Sequence, residues 1–411
     1  IFGEECFLGT FIWKRRQNVD SRTKNGVSRD HEYVLCYGRN ETCIRGDEKD
    51  LEKYSNPDND PRGPWMSADM TGLATKEQRP NLHYDLTDPK TGITYPCPPT
   101  GWRYEKKRMM ELIENNEIIF PKSPTGRPRR KKFLKDLKSE FTGFSTVLNT
   151  AFNTQGTREL RDLFDGNEIF DFPKPVDFVK ELIIQGIKGE KDAIILDFFA
   201  GSGTTAHAVL NLNHEENKNL KFILVQIPEK TKKNSTANRL GFNTISEITK
   251  ERVRRVINKL NQEGKSKLGL EEHKQDRGFK VFKLDSSNFK IWEGEIEDAN
   301  KLKDQLEMFT DNIKDDRTEA DLLYEIVLKA GYMLTEKIET VTVGETKVYS
   351  VKSGELLVCL SRKLDSETIE GIMDLEPKQV ICLDLAFMGN DQLKTNTALQ
   401  MKSKGIKFRT V

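Results

Sequence analysis

Apolar residues recur at helical and strand spacings from about residue 170 onward. An apolar stripe after Pro175 predicts a helix that Gly189 ends; the stripe consists of Val176, Val179, Leu182, Ile183 and Ile187. The runs 193–199 and 221–227 have the length and apolar character of buried parallel strands, and a helix is predicted over 204–212 between them. This order predicts a βαβ unit, followed by a helix over 244–260.

The flanking regions have different patterns. Aromatic and β-branched runs at 5–13 and 31–37 predict strands, whereas residues 40–150 are rich in turn residues and predict one helix, over 105–115. A charged linker is expected over 261–278. Beyond it, a small α/β domain is predicted, with a helix over 319–330 and strands over 347–351, 355–360 and 379–383.

The segment Asp197-Phe-Phe-Ala-Gly-Ser-Gly-Thr-Thr205 lies between the first strand and its helix. Gly201 and Gly203 allow a sharp turn and a close ligand approach, and Thr204 and Thr205 are expected to cap the helix and contact the ligand. Asp197 is expected at the ligand-facing edge of the sheet. A GxG turn after a strand also occurs in NAD and flavin sites, so this pattern alone leaves the ligand open. At least one of Phe198 and Phe199 is expected in the core.

Composition narrows the class of protein. No apolar stretch approaches membrane-spanning length, and the first residues lack a starting Met and the features of a signal peptide. We therefore expect a cytoplasmic protein, and a chain that is a fragment of a longer one. The six cysteines are scattered, including Cys43, and the five histidines form no cluster, so no metal site is expected.

The net charge of +1 conceals a basic run at 121–135 that contains no acidic residue. Such a run can neutralise DNA phosphates, and its arginines can also contact guanine. The predicted DNA-binding residues are Lys122, Arg127, Arg129, Arg130, Lys131 and Lys132, together with a second group formed by Lys14, Arg15 and Arg16. A solvated charged loop is the alternative interpretation. Trp65, Trp102 and Tyr104 are expected to form a small core rather than to stack on bases.

The glycine segment resembles the cofactor motif of the β-class DNA amino-methyltransferases. Phe172-Pro-Lys-Pro175 resembles the motif that precedes it, and Phe222-Ile-Leu-Val-Gln-Ile-Pro-Glu229 resembles the second strand. The resemblance implies an S-adenosylmethionine site, with either Gln226 or Glu229 at the ribose. The implied cofactor residues are Phe172, Lys174, Pro175, Asp197, Phe198, Phe199, Gly201, Ser202, Gly203, Thr204, Thr205, Gln226 and Glu229.

Further runs narrow the resemblance to the modification (Mod) subunits of type III restriction–modification systems, across essentially the whole chain. These runs are 56–65, 126–130, 244–255 and the tail from Leu393 to Thr410. The resemblance implies a DNA adenine-N6 methyltransferase that forms a Mod homodimer and assembles with a restriction (Res) subunit. The expected fold is a Rossmann-like methyltransferase core, an irregular α+β target-recognition domain and a small C-terminal α/β domain.

One expected motif is absent from the sequence. The family's (D/N/S)PP(Y/F) motif accepts hydrogen bonds from the target amino group, but the nearest string here is Tyr95-Pro-Cys-Pro-Pro-Thr100. We therefore expect the C-terminal part of a catalytic methyltransferase half at 1–40, a target-recognition domain at 41–160, the S-adenosylmethionine-binding half at 161–262 and an assembly domain at 279–411. The alternatives are a non-catalytic DNA-recognition and assembly module, and a nicotinamide oxidoreductase.

Overall fold

The chain divides into two compact units, Ile1–Arg277 and Gly278–Val411. The computed structural model describes residues 2–39, 44–266, 275–290, 303, 311–387 and 389–411. Both units mix helices and strands, which confirms the α/β class at that level. Cys43, His273 and the middle of the predicted linker lie outside the described residues. No helix in the described part of the chain is long and apolar enough to cross a membrane.

In its described residues, the first unit contains many short strands and six α-helices. Its strands are β1 (Phe7–Lys14), β2 (His31–Tyr37), β3 (Asp47–Glu48), β4 (Trp65–Ala68), β5 (Leu86–Thr87), β6 (Thr94–Tyr95), β7 (Ile118–Ile119), β8 (Arg129–Phe133), β9 (Phe141–Thr142), β10 (Val147–Leu148), β11 (Ile194–Asp197) and β12 (Lys221–Leu224). Its helices are α1 (Lys106–Glu114), α2 (Asn153–Leu163), α3 (Val176–Ile187), α4 (Thr204–Glu216), α5 (Thr236–Arg239) and α6 (Ile245–Ser266). The predicted linker is wrong at its start, because α6 continues to Ser266 instead of ending at Leu260.

The predicted βαβ unit is present. Strands β11 and β12 pair in parallel, and α4 connects them. Ile195 and Phe222 face a core formed by α3 and α4, because alternate residues of a strand point to opposite faces. On the opposite face the apolar side chains are about half exposed, as for Leu196 at 58%; the others are Ile194, Ile223 and Val225.

The predicted N-terminal strands form an antiparallel hairpin. Strand β1 pairs with β2 on one side and runs parallel to β10 on the other. Trp13 is fully buried and stacks on Phe178 of α3, with ring centroids 4.0 Å apart. This sheet also has an exposed apolar face, which includes Tyr33 and Leu35.

Residues 44–150 contain short strands and long connections, as their turn-rich sequence predicts. Strand β8 lies between β4 and β7 and pairs antiparallel with both. Two further antiparallel pairs are formed by β3 with β9 and by β5 with β6. The core beside these strands contains Trp102, Met70, Met109 and Leu112, all fully buried, with Tyr104 packed against it. The core prediction is therefore confirmed for Trp102 and Tyr104, whereas Trp65 is only partly buried and donates its indole N–H to Asp58 at 2.8 Å.

The second unit is built on one five-stranded sheet. Its strands are β13 (Ile338–Val343), β14 (Thr346–Val351), β15 (Leu356–Cys359), β16 (Gln379–Cys382) and β17 (Lys407–Thr410), which lie in that order. Its helices within residues 311–387 and 389–411 are α7 (Glu319–Lys329), α8 (Ser366–Asp374) and α9 (Asp391–Ser403). The first three strands are antiparallel and the last three parallel, so the sheet is mixed. The sequence predicted α7 and the three central strands, but not β13, β17, α8 or α9.

Candidate functional site

The glycine loop, residues 197–205, turns the chain from β11 into α4. Asp197 is the last residue of the strand, and Gly203 is the N-cap of the helix. Gly201 and Gly203 have φ angles of 52° and 81°, in the left-handed region that residues with a Cβ atom rarely adopt. A Cβ atom at Gly203 would also lie 3.1 Å from Cγ2 of Thr249. Both conformation and space therefore favour glycine here.

Side chains from three elements hold this loop. Asp197 accepts hydrogen bonds from the Phe199 amide at 3.0 Å and the Thr205 hydroxyl at 2.6 Å. From α6, the Thr249 hydroxyl donates to the Gly201 carbonyl at 2.6 Å. The third element is the chain after β12, where Oε1 of Gln226 accepts from the Gly201 amide at 2.7 Å.

The expected helix capping by the two threonines is wrong. The Thr204 hydroxyl donates to the Lys174 carbonyl at 3.2 Å, and that of Thr205 donates to Asp197. Thr204 thus joins the glycine loop to the segment 172–175, and Thr205 ties the start of α4 back to the end of β11.

Gln226 and Glu229 have different surroundings. Both ends of the Gln226 amide are engaged, since its Nε2 donates to the Ile227 carbonyl at 3.0 Å while its oxygen accepts from Gly201. The Glu229 side chain is exposed, and its backbone carbonyl accepts from the Ile245 amide at 2.9 Å, next to the start of α6.

A buried polar cluster behind the loop was not predicted as part of the site. Arg252 of α6 is fully buried and donates to Ser202 Oγ and Thr204 Oγ1, both at 2.9 Å. It also donates to Nδ1 of His207 at 3.2 Å. Burial, together with the Arg252 charge, lowers the pKa of His207 well below its ordinary value, so this imidazole is neutral. The sequence did contain a signal for this cluster: two polar residues, Thr249 and Arg252, interrupt the apolar side of α6.

Three aromatic side chains lie exposed on and beside the glycine loop. Phe199 is 78% exposed and Phe172 79%, and the ring of Phe198 lies 5.0 Å from that of Phe199 between centroids. The expectation that at least one of Phe198 and Phe199 lies in the core is wrong. Exposed aromatic rings beside a polar loop provide an apolar surface on which a planar ligand group can bind.

The segment 172–175 packs beside the loop. Pro175 is the N-cap of α3, with φ near −63°. Lys174 forms an ion pair with Glu32 of β2, and its ammonium lies 5.1 Å from the ring centroid of Trp13. Gly156 of α2 leaves room for this segment, since a Cβ atom there would lie 2.4 Å from the Pro173 carbonyl oxygen.

The basic residues of 122–132 do not share one environment. Four of them are exposed: Lys122, Arg127, Arg129 and Lys132. Arg130 is partly buried, with an ion pair to Glu117 at 2.9 Å and a hydrogen bond to the Tyr104 hydroxyl at 2.8 Å. Lys131 is buried and forms ion pairs with Asp58 and Asp60. The charges of Arg130 and Lys131 are therefore matched by acidic groups of the same region.

The second basic group lies at the end of β1. Lys14 is exposed, whereas Arg15 forms an ion pair with Glu32 at 3.6 Å and Arg16 forms one with Asp20 at 2.7 Å. Only Lys14 of this group presents its charge without such a partner among the described residues.

Residues 1–254 match the DNA methylase family of N6 and N4 methyltransferases, and the chain therefore belongs to this family. It is similar to the Mod subunits of three type III restriction–modification enzymes, as the resemblance in its motifs predicts. The StyLTI Mod subunit of Salmonella typhimurium is 33% identical over 283 residues, which is 67% of this chain and 42% of that protein. The EcoP15I Mod subunit of Escherichia coli is 28% identical, over 97% of this chain and 64% of that protein. The EcoPI Mod subunit of Escherichia phage P1 is 30% identical, over 97% of this chain and 65% of that protein. This chain spans less than two thirds of the length of each.

Proposed function

We propose that the chain binds S-adenosylmethionine at the glycine loop and acts in site-specific methylation of adenine N6 in DNA, as a Mod subunit of the type III class. The observation that carries this proposal is the glycine loop, which joins a parallel strand to a helix within a DNA methylase domain. The strands β11 and β12 with α3 and α4 would form part of a Rossmann-like core.

The residues around the loop fit this donor. The left-handed glycines let a ligand approach the backbone closely, and the exposed rings of Phe172, Phe198 and Phe199 suit a planar adenine. Asp197, Ser202, Thr204 and Thr205 would maintain the loop, and Lys174 and Pro175 would form its border. The donor supplies a methyl group on a sulfonium for direct transfer to an adenine extruded from the duplex.

For the ribose hydroxyls we propose Glu229 rather than Gln226. The amide of Gln226 is already used at both ends to hold the loop and the following backbone. The carboxylate of Glu229 is exposed beyond β12, and a carboxylate can accept hydrogen bonds from both hydroxyls of a ribose.

DNA contacts are proposed for the exposed basic residues Lys14, Lys122, Arg127, Arg129 and Lys132, in residues 41–160 and at the end of β1. Their charges can neutralise phosphates, and the arginines can also contact guanine. Replacing Arg127 and Arg129 with Ala should weaken DNA binding and flatten its dependence on salt concentration. An unchanged salt slope would remove these residues from the interface.

The unit Gly278–Val411 is proposed to support assembly, as a Mod homodimer and with a Res subunit. The proposal rests on the similarity to the EcoP15I and EcoPI Mod subunits, which extends over 97% of this chain and so includes this unit. Light scattering of the whole chain and of residues 1–277 would test it, with the dimer expected only in the presence of the second unit.

A non-catalytic DNA-recognition and assembly module is the second candidate for the 411 residues taken alone. The 411 residues contain no (D/N/S)PP(Y/F) sequence, and the apolar face of β11 and β12 is half exposed. An exposed apolar face of this kind suits contact with further polypeptide that carries the acceptor motif.

Calorimetric titration with S-adenosylmethionine tests the donor site. We expect binding that NADH does not compete, and binding of NADH alone would favour a nicotinamide oxidoreductase. Incubation with DNA and labelled donor then separates the two candidates. If the donor binds but no methyl group is transferred to DNA, the non-catalytic module is supported. Robust methyl transfer would show that these 411 residues can position the target adenine themselves.

A further inference from the structure

We propose that Arg252 is a positioning residue that sets the conformation of the glycine loop through Ser202 and Thr204. The proposal rests on the proposed donor site, because it assigns the group that keeps that site in its binding conformation. Arg252 would not touch the donor, and its effect would pass through the two hydroxyl groups and through His207.

The burial and contacts of Arg252 support this role. Its side chain has no exposed surface, and it donates from Nη1 to Ser202 and Thr204 at the start of α4. Among the described residues no carboxylate forms an ion pair with it, and Glu159 acts on its charge only at longer range. Its Nε atom is buried without a hydrogen-bond partner in the described part of the chain.

A buried cation without an anionic partner costs folding free energy, and the hydrogen bonds of Arg252 to Ser202, Thr204 and His207 offset part of this cost. Arg252 can reach three acceptors at once because the guanidinium group is planar and carries five N–H donors. A lysine ammonium has no such fixed arrangement of donors, so it would not hold Ser202, Thr204 and His207 in the same relative positions.

His207 is suited to be the third acceptor. A neutral imidazole can accept at Nδ1 when its proton is on Nε2, and the hydrogen bond from Arg252 favours this tautomer. Thr249, one turn before Arg252 on α6, holds the Gly201 carbonyl from the same side. The loop is therefore attached to α6 both before and after Gly203.

The test compares Arg252→Met and Arg252→Lys with Arg254→Met in the whole chain. Arg254 is on the same helix, but its side chain is 54% exposed and its ion pair to Glu251 is long, at 3.8 Å. Arg252→Met removes the cost of burying a charge, but it leaves Ser202, Thr204 and His207 without their shared donor, so its melting temperature should fall by only a few degrees. Its affinity for S-adenosylmethionine should fall at least about tenfold, with partial rescue in Arg252→Lys and no change in Arg254→Met.

Hydrogen exchange of the amides of residues 199–205 gives a second readout that needs no donor. These amides should exchange faster in Arg252→Met than in the wild type, while the amides of α3 keep their protection. Unchanged loop exchange together with unchanged donor affinity would overturn the proposal. If the wild type binds no donor, the proposed function fails, and the exchange data still decide whether Arg252 positions the loop.

Discussion

The glycine loop and the basic strand β8 are both short runs with a clear sequence pattern, but their residues are used differently. In the loop, Asp197, Gly203 and Thr205 all serve one local structure. In β8, neighbouring residues of like charge have different environments: Arg129 and Lys132 are exposed, whereas Lys131 is buried between two aspartates. A motif defined by conformation can therefore be interpreted residue by residue. A run of charge cannot, because the exposure of each member depends on tertiary contacts: Arg129 and Lys131 lie on the same face of the strand, yet only Lys131 is buried.

The largest expected effect is on the loop itself. Gly203→Val places a β-branched residue at φ 81°, where its Cβ atom would also crowd Thr249. We expect the affinity for S-adenosylmethionine to fall about 100-fold, which corresponds to about 3 kcal/mol. Calorimetric titration would measure it. Gly186→Ala in α3 is the control, because Gly186 is helical and a Cβ atom there would meet nothing within 4 Å. Equal donor affinity in the two variants would contradict the role of Gly203.

The comparison within β8 is tested by Lys131→Met and Lys132→Met. Removing Lys131 leaves Asp58 and Asp60 without their shared cation, and we expect the melting temperature to fall by about 5 °C or more. Lys132→Met should leave the melting temperature unchanged and weaken DNA binding at low salt. Thermal unfolding and a DNA titration on both variants would measure this. The interpretation fails if Lys132→Met proves the less stable of the two.

A smaller effect is expected at the end of β12. Glu229→Gln should weaken binding of S-adenosylmethionine about tenfold, because a charged acceptor for the ribose becomes neutral. Methylthioadenosine, titrated separately, keeps the ribose and lacks the amino-acid part. The affinity of Glu229→Gln for this ligand should fall by a similar factor. A variant that binds both ligands like the wild type would show that Glu229 does not contact the ribose.

The smallest effect concerns acid stability. Hydrogen bonds from Arg62 and Lys131 hold the pKa of Asp60 well below its usual range, and that from Lys131 lowers the pKa of Asp58. A lowered carboxyl pKa stabilises the folded state above the ordinary carboxyl range, and this contribution is lost as the pH falls through the folded pKa. Lys131→Met should therefore begin to unfold at a higher pH than the wild type during acid titration followed by circular dichroism. If the variant and the wild type unfold at the same pH, the ion pairs of Lys131 with Asp58 and Asp60 contribute nothing to acid stability.

The regular elements of residues 170–260 could be predicted because apolar periodicity and glycine positions determine them locally. The cluster of Thr249, Arg252 and His207 could not, since its contacts depend on how α6 packs against α4. The exposure of Phe198 and Phe199 was missed for a related reason: an apolar residue at the end of a buried strand is usually core, and only tertiary structure reveals otherwise. In the second unit, β13 and α9 combine polar and apolar residues without a strong period, and packing rather than propensity defines them.

The attachment of the loop to α6 has a consequence for biosynthesis. Arg252 follows Ser202 by 50 residues in the chain. During translation the loop therefore emerges from the ribosome before α6, and β11, α4 and β12 can associate before the loop gains its contacts with Thr249 and Arg252. The proposed donor site would therefore reach its final conformation only after α6 has been synthesised and has docked, although its glycines are made early.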